Sequence, residues 1–301
     1  MAAAYLPLAV PAVKRSGRNR QSKLHVSVFS KHLQFLGYDD MAKMAAQIGF
    51  DGVDLTVRPN GHVLPEKVEQ DLPRAVEAMD QAGLAPVMMA TAVNDPDNPV
   101  DRSVLKTASA LGMKYYRMAY FTYTEDGTIP QDLLRFQQQA KALSDLNREL
   151  ELVGCYQNHA GNYVGASMFE LYQIFKNADQ QSAGIQYDIR HATVEGGMSW
   201  ETGLRLVQSM IRTIALKDFR WEQQDGSWRT VNVPMGEGMV DFKKYFGLLK
   251  KYGVEVPASL HLEYPLGGAE HGDREISIKP DQVYEAMRRD LQYVRNLYAE
   301  A

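Results

Sequence analysis

Polar side chains that can do chemistry stand at the ends of short apolar runs in this sequence. The run "VGCY" leads directly into Gln157, Asn158 and His159, and the run "AGIQYDI" contains Asp188 and is followed by His191. A buried polar group without a partner is costly. A strand that ends in such residues therefore meets water, a ligand or a metal. Carboxylates and imidazoles are the usual general acids and bases, and they are also ligands for divalent metals.

Similar residues end other runs of the same kind. Residues two apart on a strand share a face, so the alternation assigns these side chains to one inward-facing set. Its further members are Asp54 and Arg58 on the second run, Arg117 on the fourth, Ala215 and Lys217 on the seventh, and His261 and Glu263 on the eighth. We assign a packing role to His261, because it lies one layer deeper than Glu263.

The elements that must position these groups alternate regularly. Apolar, β-rich runs predict eight strands, at residues 24–30, 52–57, 85–91, 114–120, 150–157, 183–189, 212–219 and 258–264. Stretches of helical period lie between them, clearest at 66–82, 131–149 and 281–299. Eight alternating units predict an α/β fold, a single-domain (β/α)8 TIM barrel over residues 24–301, with active groups at the carboxyl ends of its strands. No G-x-G-x-x-G follows the first strand, which disfavours an open dinucleotide-binding sheet. Residues 220–240 are predicted to be an irregular loop over the barrel mouth.

Bulk properties narrow the function classes. The formal charge of −4 argues against a protein that grips nucleic acid, and the single cysteine, Cys155, excludes an intramolecular disulfide framework. No run is long enough to suggest a membrane span. Residues 1–23 are predicted to be a disordered or leader arm. Its apolar start is either a floppy leader or the remnant of an export signal, so both a cytoplasmic and a periplasmic location stay open for a soluble protein. Homo-oligomers are also left open.

Several motifs resemble one enzyme family. "QNHAG", "YDIRHA", "ALKDF", "VPMGEGMVDF" and "LHLEY", in this order and spacing, are similar to motifs of the sugar phosphate isomerase/epimerase family. That family has the xylose isomerase-like barrel, which ketose 3-epimerases, inosose dehydratases and endonuclease IV share. The resemblance covers the chain from residue 24 onward. It implies one divalent cation, often manganese, held by Glu, Asp, His and Glu on strands five to eight.

Two of the four implied metal ligands are replaced in this chain. Asp188 and Glu263 match the family pattern, but Gln157 and Ala215 stand where the family has Glu and His. Hard cations prefer anionic oxygen or imidazole ligands. The sequence therefore predicts at most a weak Mn²⁺ or Mg²⁺ site, built from Asp188, Glu263 and Gln157.

The same replacements change the predicted mechanism. Similar epimerases use two glutamates as paired bases, and Gln157 has no useful basicity. Glu263 is instead the predicted base, provided that burial raises its pKa. His191, or else His159, is the predicted acid. Lys217 or Arg117 would stabilise the developing oxyanion.

Further residues are predicted to contact the substrate. This set comprises Gln157, His159, Arg117, Asp54 and Trp221, and the aromatic residues Phe29, Tyr120 and Trp228 are additional candidates for stacking on a sugar ring. The glycines of "PMGEGM" (234–239) have two readings: a phosphate-binding loop, or a turn into a helix capped by Asp241.

The function predicted from these residues is enzymatic. It is an isomerase, epimerase or related lyase acting on a small sugar, sugar phosphate or polyol by proton abstraction next to a carbonyl. The alternative is a carbohydrate-binding barrel that has lost its metal and its catalysis. DNA repair in the manner of endonuclease IV is disfavoured, because seven histidines and a negative charge suit a multi-zinc DNA enzyme poorly.

Overall fold

A closed barrel of eight parallel strands forms the centre of the molecule. The computed structural model describes residues 23–301, so the predicted arm at 1–23 lies almost wholly outside the described residues. The barrel strands are β1 (Val26–Phe29), β2 (Gly52–Val57), β3 (Ala85–Thr91), β4 (Tyr115–Arg117), β5 (Val153–Gln157), β6 (Ala183–Asp188), β7 (Ile211–Leu216) and β10 (Ala258–Leu260). Pairing of β1 with both β2 and β10 closes the ring. The predicted single-domain TIM barrel is confirmed.

Helices surround this barrel. They are α1 (Tyr38–Ile48), α2 (Val68–Gln81), α3 (Pro99–Ala110), α4 (Ile129–Glu149), α5 (Met168–Phe175), α6 (Ile189–Gly196), α7 (Trp200–Val207), α8 (Phe242–Tyr252) and α9 (Pro280–Glu300). Each turns an apolar stripe toward the strands, as Val68, Leu72, Ala75 and Met79 do on α2, where all four are buried. Within the described part of the chain, no helix is both long and apolar enough to cross a membrane.

Several barrel strands are shorter than the apolar runs predicted. Only 115–117 of the predicted 114–120 and 258–260 of the predicted 258–264 pair in the sheet. The residues beyond the ladder make other contacts; for example, the backbone N–H of Leu262 donates to Nε2 of His32 at 2.9 Å. The residues that follow these strands therefore lie outside the paired strands, and they include polar groups of the barrel mouth.

The prediction of an irregular loop at 220–240 is wrong for residues 220–233. Strands β8 (Asp218–Gln224) and β9 (Ser227–Val233) form an antiparallel hairpin that leaves the barrel directly after β7. Its two-residue turn is Asp225–Gly226, with φ of 50° and 76°. Positive φ at both central residues is the type I′ geometry that favours Asp-Gly, so the signal was present in the sequence.

Candidate active site

Gln157, the last residue of β5, is held by three side-chain hydrogen bonds. Its Oε1 accepts from Arg117 Nη1 and from the Tyr120 hydroxyl, each at 3.0 Å, and its Nε2 donates to Asp188 Oδ2 at 2.8 Å. The side chain is 2% exposed. The amide therefore presents its carbonyl oxygen to two donors and its N–H group to the neighbouring carboxylate.

Asp188, the last residue of β6, is held in place by the residue that follows Gln157. Asn158 donates from Nδ2 to the Asp188 carbonyl oxygen at 2.9 Å, and its Oδ1 accepts from the Asp188 N–H at 2.7 Å. The Asp188 carboxylate also caps α6 by accepting from the His191 N–H at 3.1 Å. These bonds fix the position of a completely buried carboxylate.

Lys217 lies between the two carboxylates. Its Nζ is 3.3 Å from Asp188 Oδ2 and 3.0 Å from Glu263 Oε2. The other oxygen of Glu263 receives Lys31 Nζ at 3.0 Å. Burial favours the neutral amine of Lys217, but Asp188 and Glu263 outweigh burial and raise its pKa. An ammonium ion thus bridges the ends of β6 and β10.

The prediction of a raised pKa for Glu263 is wrong. Burial alone would raise this pKa, but Lys217, His261 and Lys31 outweigh burial and hold the pKa of the carboxyl well below its usual range. Glu263 is therefore an ionised acceptor whose two oxygens already face lysines. In this arrangement it is a weak base.

The predicted metal ligands lie together but do not fit a divalent cation. A hard cation needs several oxygen or imidazole lone pairs directed at one point. Here an ammonium ion separates Asp188 from Glu263, and Gln157 directs an N–H group rather than an oxygen at Asp188. Ala215 supplies no ligand atom. Among residues 23–301, no group of three or more His, Cys, Asp or Glu side chains is arranged to hold a metal.

Two histidines in ring contact follow β5 and β6, and their neighbours fix different proton positions on them. The rings of His159 and His191 are 3.9 Å apart between centroids. His159 Nδ1 is 2.9 Å from the Ala160 carbonyl oxygen, which only accepts, so Nδ1 carries the proton and Nε2 keeps its lone pair. His191 Nδ1 is 3.0 Å from Arg190 Nη1, which only donates, so the proton of this ring lies on Nε2.

Both rings are held neutral. Burial, reinforced by Lys217, lowers the pKa of His159 and lowers that of His191 still further. Nε2 of His191 has no hydrogen-bond partner among the described residues and lies 3.7 Å from Asp188 Oδ2. One neutral ring therefore offers a lone pair beside another that offers an N–H.

A cavity of about 440 Å³ opens at this point of the barrel mouth. Its lining includes His159, Arg190, His191, Trp221, Asn232 and Glu263. The hairpin supplies Trp221 and Asn232, so the segment predicted as a loop forms one wall of the site. A larger hollow of about 620 Å³, near Tyr38, Arg74 and Arg274, contains none of the predicted site residues.

The remaining predicted residues occupy different layers. Asp54 is 1% exposed and accepts from Ser259 Oγ at 2.6 Å, so it lies within the barrel and does not line the cavity. Burial raises its pKa. Phe29 is likewise buried, whereas Trp228 points to solvent with 66% exposure. Arg117 reaches the site through Gln157.

The glycine loop 234–239 is already occupied by a side chain of the protein. The carboxylate of Asp218 accepts from the N–H groups of Gly236, Gly238 and Val240 at 3.0–3.2 Å. Asp241 caps α8 by accepting from the Lys244 N–H at 3.0 Å. Of the two readings, the structure supports the turn that leads into a capped helix.

Three residues of the site were not predicted from the strand ends. Lys31 follows β1, Arg190 follows β6, and Asn232 lies on the hairpin. Lys31 could have been found by applying the strand-end rule to the first strand, and Arg190 stands inside "YDIRHA". Nothing in the sequence around Asn232 distinguished it.

A family model described as "xylose isomerase-like TIM barrel" matches residues 42–289. The chain belongs to this family. No protein with a curated description matches the sequence.

Solved structures that share the fold have low sequence identity to the chain. The IolI protein with a bound zinc atom superposes with a TM-score of 0.71 at 16% identity, covering 92% of this chain and 99% of that one. D-psicose 3-epimerase from Clostridium cellulolyticum H10 gives 0.68 at 12% identity, over 91% and 99% of the two chains. The 3-keto-D-glucoside 4-epimerase YcjR of E. coli gives 0.64 at 12% identity, over 91% and 100%. At such identities the similarity establishes the fold.

Proposed function

We propose that this protein is a sugar isomerase or epimerase, or a related lyase, that moves a proton next to a carbonyl of a small sugar, sugar phosphate or polyol. The observation that carries the proposal is the pair of adjacent histidines in the cavity, with a lone pair on His159 and an N–H on His191. Family membership and two sugar epimerases among proteins of the same fold support the substrate class.

In this proposal His159 Nε2 is the general base. Among residues 23–301 this ring nitrogen has no hydrogen-bond partner, and the neutral ring can accept a proton. His191 Nε2–H donates a hydrogen bond to the substrate oxygen on which negative charge develops. This assignment replaces Glu263 as base, because both oxygens of Glu263 are committed to lysines.

Positive charge next to the cavity would stabilise the enolate. Arg190 lines the cavity directly. Lys217 does not line it but contacts Glu263, which does. Fixed charges in a site that excludes water stabilise developing charge without reorganisation. We propose that the ammonium of Lys217 takes the position between Asp188 and Glu263 that a divalent metal ion would need.

Exchange of a carbon-bound proton tests the proposal. Wild-type protein incubated with a panel of ketoses, aldoses and their phosphates in deuterated water should introduce deuterium next to the carbonyl of one of them, detected by ¹H NMR. His159→Gln should slow this exchange by about 100-fold or more, the usual contribution of a general base. The matched control is His271→Gln, which changes an exposed histidine outside the cavity.

Chelation tests the role given to Lys217. Protein treated with EDTA and shown to be metal-free by elemental analysis should retain full exchange activity. Exchange that disappears on chelation and returns with Mn²⁺ would refute this part of the proposal.

The alternative is a barrel that binds a carbohydrate without converting it. The observation that favours it is that Gln157 is an amide and Glu263 is a weak base, so neither position of the family's glutamate pair can abstract a proton. A sugar that binds in calorimetry but exchanges no proton in deuterated water would establish this alternative.

A further inference from the structure

Three cationic side chains surround the ring of Phe29 at the end of β1. Lys31 Nζ lies 5.6 Å from the ring centroid, Arg58 Cζ 5.4 Å and Arg117 Cζ 5.5 Å. The ring itself is buried. Cations are attracted to the face of an aromatic ring, so the ring helps to hold a dense positive cluster beside the cavity.

Within this cluster, the lysine is the one cation that pairs with a carboxylate of the described residues. Lys31 pairs with Glu263 at 3.0 Å. Among residues 23–301, neither Arg58 nor Arg117 has a carboxylate oxygen within 4.0 Å. Arg117 donates to the neutral amide of Gln157, and its buried Nε has no hydrogen-bond partner among the described residues.

Such an arrangement is costly for the protein alone. Arg58 and Arg117 are half-buried. Charges that are partly removed from water are normally paired, and two neighbouring guanidinium groups repel each other. Burial, followed by the charge of Arg117, lowers the pKa of Arg58 to about 10. Asp54 attracts both arginines, but it bonds to Ser259 instead. An anion placed between the two guanidinium groups would remove this cost, and planar guanidinium groups bind carboxylate and phosphate in a bidentate manner.

We infer that Arg58 and Arg117 form an anion subsite, and that the substrate of the proposed reaction carries a carboxylate or a phosphate group. The inference rests on the proposed function in one respect, namely that the bound anion is a substrate. Lys31, which contacts both the Phe29 ring and Glu263, connects the subsite to the cavity. A sugar acid and a sugar phosphate share the required chemistry, an anionic oxygen group at the end of a small polyol.

Binding measurements test the subsite independently of catalysis. Isothermal titration of wild-type protein at constant ionic strength would use inorganic phosphate, D-glucuronate and neutral D-glucose. At least one anion should bind about tenfold more tightly than glucose. Arg58→Gln and Arg117→Gln should each weaken that anion by about tenfold or more, which corresponds to about 1.4 kcal/mol. Glucose binding should stay unchanged in Arg58→Gln.

Arg205→Gln is the matched control, because it removes one positive charge from an exposed position on α7. Arg58→Gln is the cleaner variant, since the Arg58 side chain makes none of the hydrogen bonds that hold Gln157. Circular dichroism melts establish that each variant folds. A preference for glucuronate assigns the subsite to sugar acids, and a preference for phosphate assigns it to phosphorylated sugars.

Two results would overturn the inference. One is wild-type protein that binds neither anion more tightly than glucose, and the other is arginine variants that lose no more affinity than Arg205→Gln. Anion binding without any proton exchange would support the subsite and contradict the proposed function. Failure of the subsite can therefore be distinguished from failure of the proposed reaction.

Discussion

At the scale of single residues, the site depends on a lysine placed between two acids. Lys217 is 3% exposed, and its neighbours Asp188 and Glu263 would repel each other without it. Removal of one partner of a buried charge network leaves the other charges uncompensated. This destabilises a protein more than replacement of the whole network by apolar residues does. Lys217 therefore contributes to stability as well as to the charge of the cavity.

Lys217→Met should destabilise the protein by about 3–5 kcal/mol, the usual cost of leaving buried charges unpaired. Millimolar Mn²⁺ should then recover part of the loss, because a cation that binds only the folded state stabilises it. Urea unfolding with and without Mn²⁺ measures both effects, with wild type as the reference. An equal response to Mn²⁺ in wild type and variant would show that the ammonium does not occupy a cation position.

Asn158→Ala should cost about 2–4 kcal/mol, because two main-chain groups of Asp188 lose their buried partners at once. Asn158→Asp is the informative companion, since it keeps the acceptor for the Asp188 N–H and loses the donor to its carbonyl. It also adds a charge close to the Asp188 carboxylate. Denaturant titration should rank wild type above both variants, and an unchanged midpoint in Asn158→Ala would contradict the role given to this side chain.

The residue types of the site could be predicted from strand ends, but their pairing could not. Gln157, Asp188, Lys217 and Glu263 all lie where alternation along the strands placed them. Which way an amide turns, and whether lysines or burial dominate the pKa of Glu263, depend on distances of a few ångströms between different strands. Such distances are properties of the closed ring and not of any single run.

At the scale of elements, the β8–β9 hairpin is the main difference between prediction and structure. Its residues are mostly polar and its outer face is exposed, so the apolar periodicity that reveals barrel strands is absent. The Asp-Gly turn was the available signal. Asp218 anchors the base of the hairpin to the loop before α8 through its bonds to Gly236, Gly238 and Val240.

Trp221→Ala should raise KM for the substrate by about tenfold and leave stability within about 0.5 kcal/mol. The indole lines the cavity yet is 41% exposed, so truncation removes contact with the ligand more than it removes core packing. Trp228→Ala is a matched control on the partner strand, where the ring is 66% exposed and away from the cavity. Equal effects of the two substitutions on KM would show that the hairpin does not form a wall of the site.

At the scale of the whole molecule, buried polar groups make the free energy of unfolding depend on pH. His62 lies near Ser30 and Thr56, which bond to each other at 3.1 Å, and its Nε2 is 3.2 Å from the Leu33 carbonyl oxygen. Burial lowers the pKa of His62 from 6.5 to about 4. In the unfolded chain the same ring takes up its proton at higher pH.

The stability contributed by neutral His62 should be fully present above pH 6.5 and lost as the pH falls from 6.5 to about 4. The pKa difference corresponds to about 3 kcal/mol. His62→Gln should therefore lose less stability over this interval than wild type, although it is less stable at pH 7. Urea unfolding at several pH values measures the slopes, with His271→Gln as the exposed-histidine control. Parallel curves for wild type and His62→Gln would contradict the prediction.

The overall fold was the most predictable property of this sequence. The eight alternating units and the absence of a dinucleotide-binding fingerprint predicted the closed barrel. Each strand must bury an apolar face, and only neighbouring elements can cover it. The predicted strands were too long at the carboxyl ends of β4 and β10, the latter at Glu263. There the chain remains β-like in composition after it has left the sheet.

The bonds between Asp218 and the glycine loop bear on how a ligand would lie in the mouth. In many barrels the amide groups around strands seven and eight receive a phosphate, but here a carboxylate of the protein already satisfies them. Arg58 follows β2 and Arg117 is the last residue of β4. These two strands flank β3, which lies across the ring from β7. On the two proposals made above, the acidic group of the substrate would lie toward β3, and its carbonyl group would lie toward His159 and His191 in the cavity that Trp221 lines.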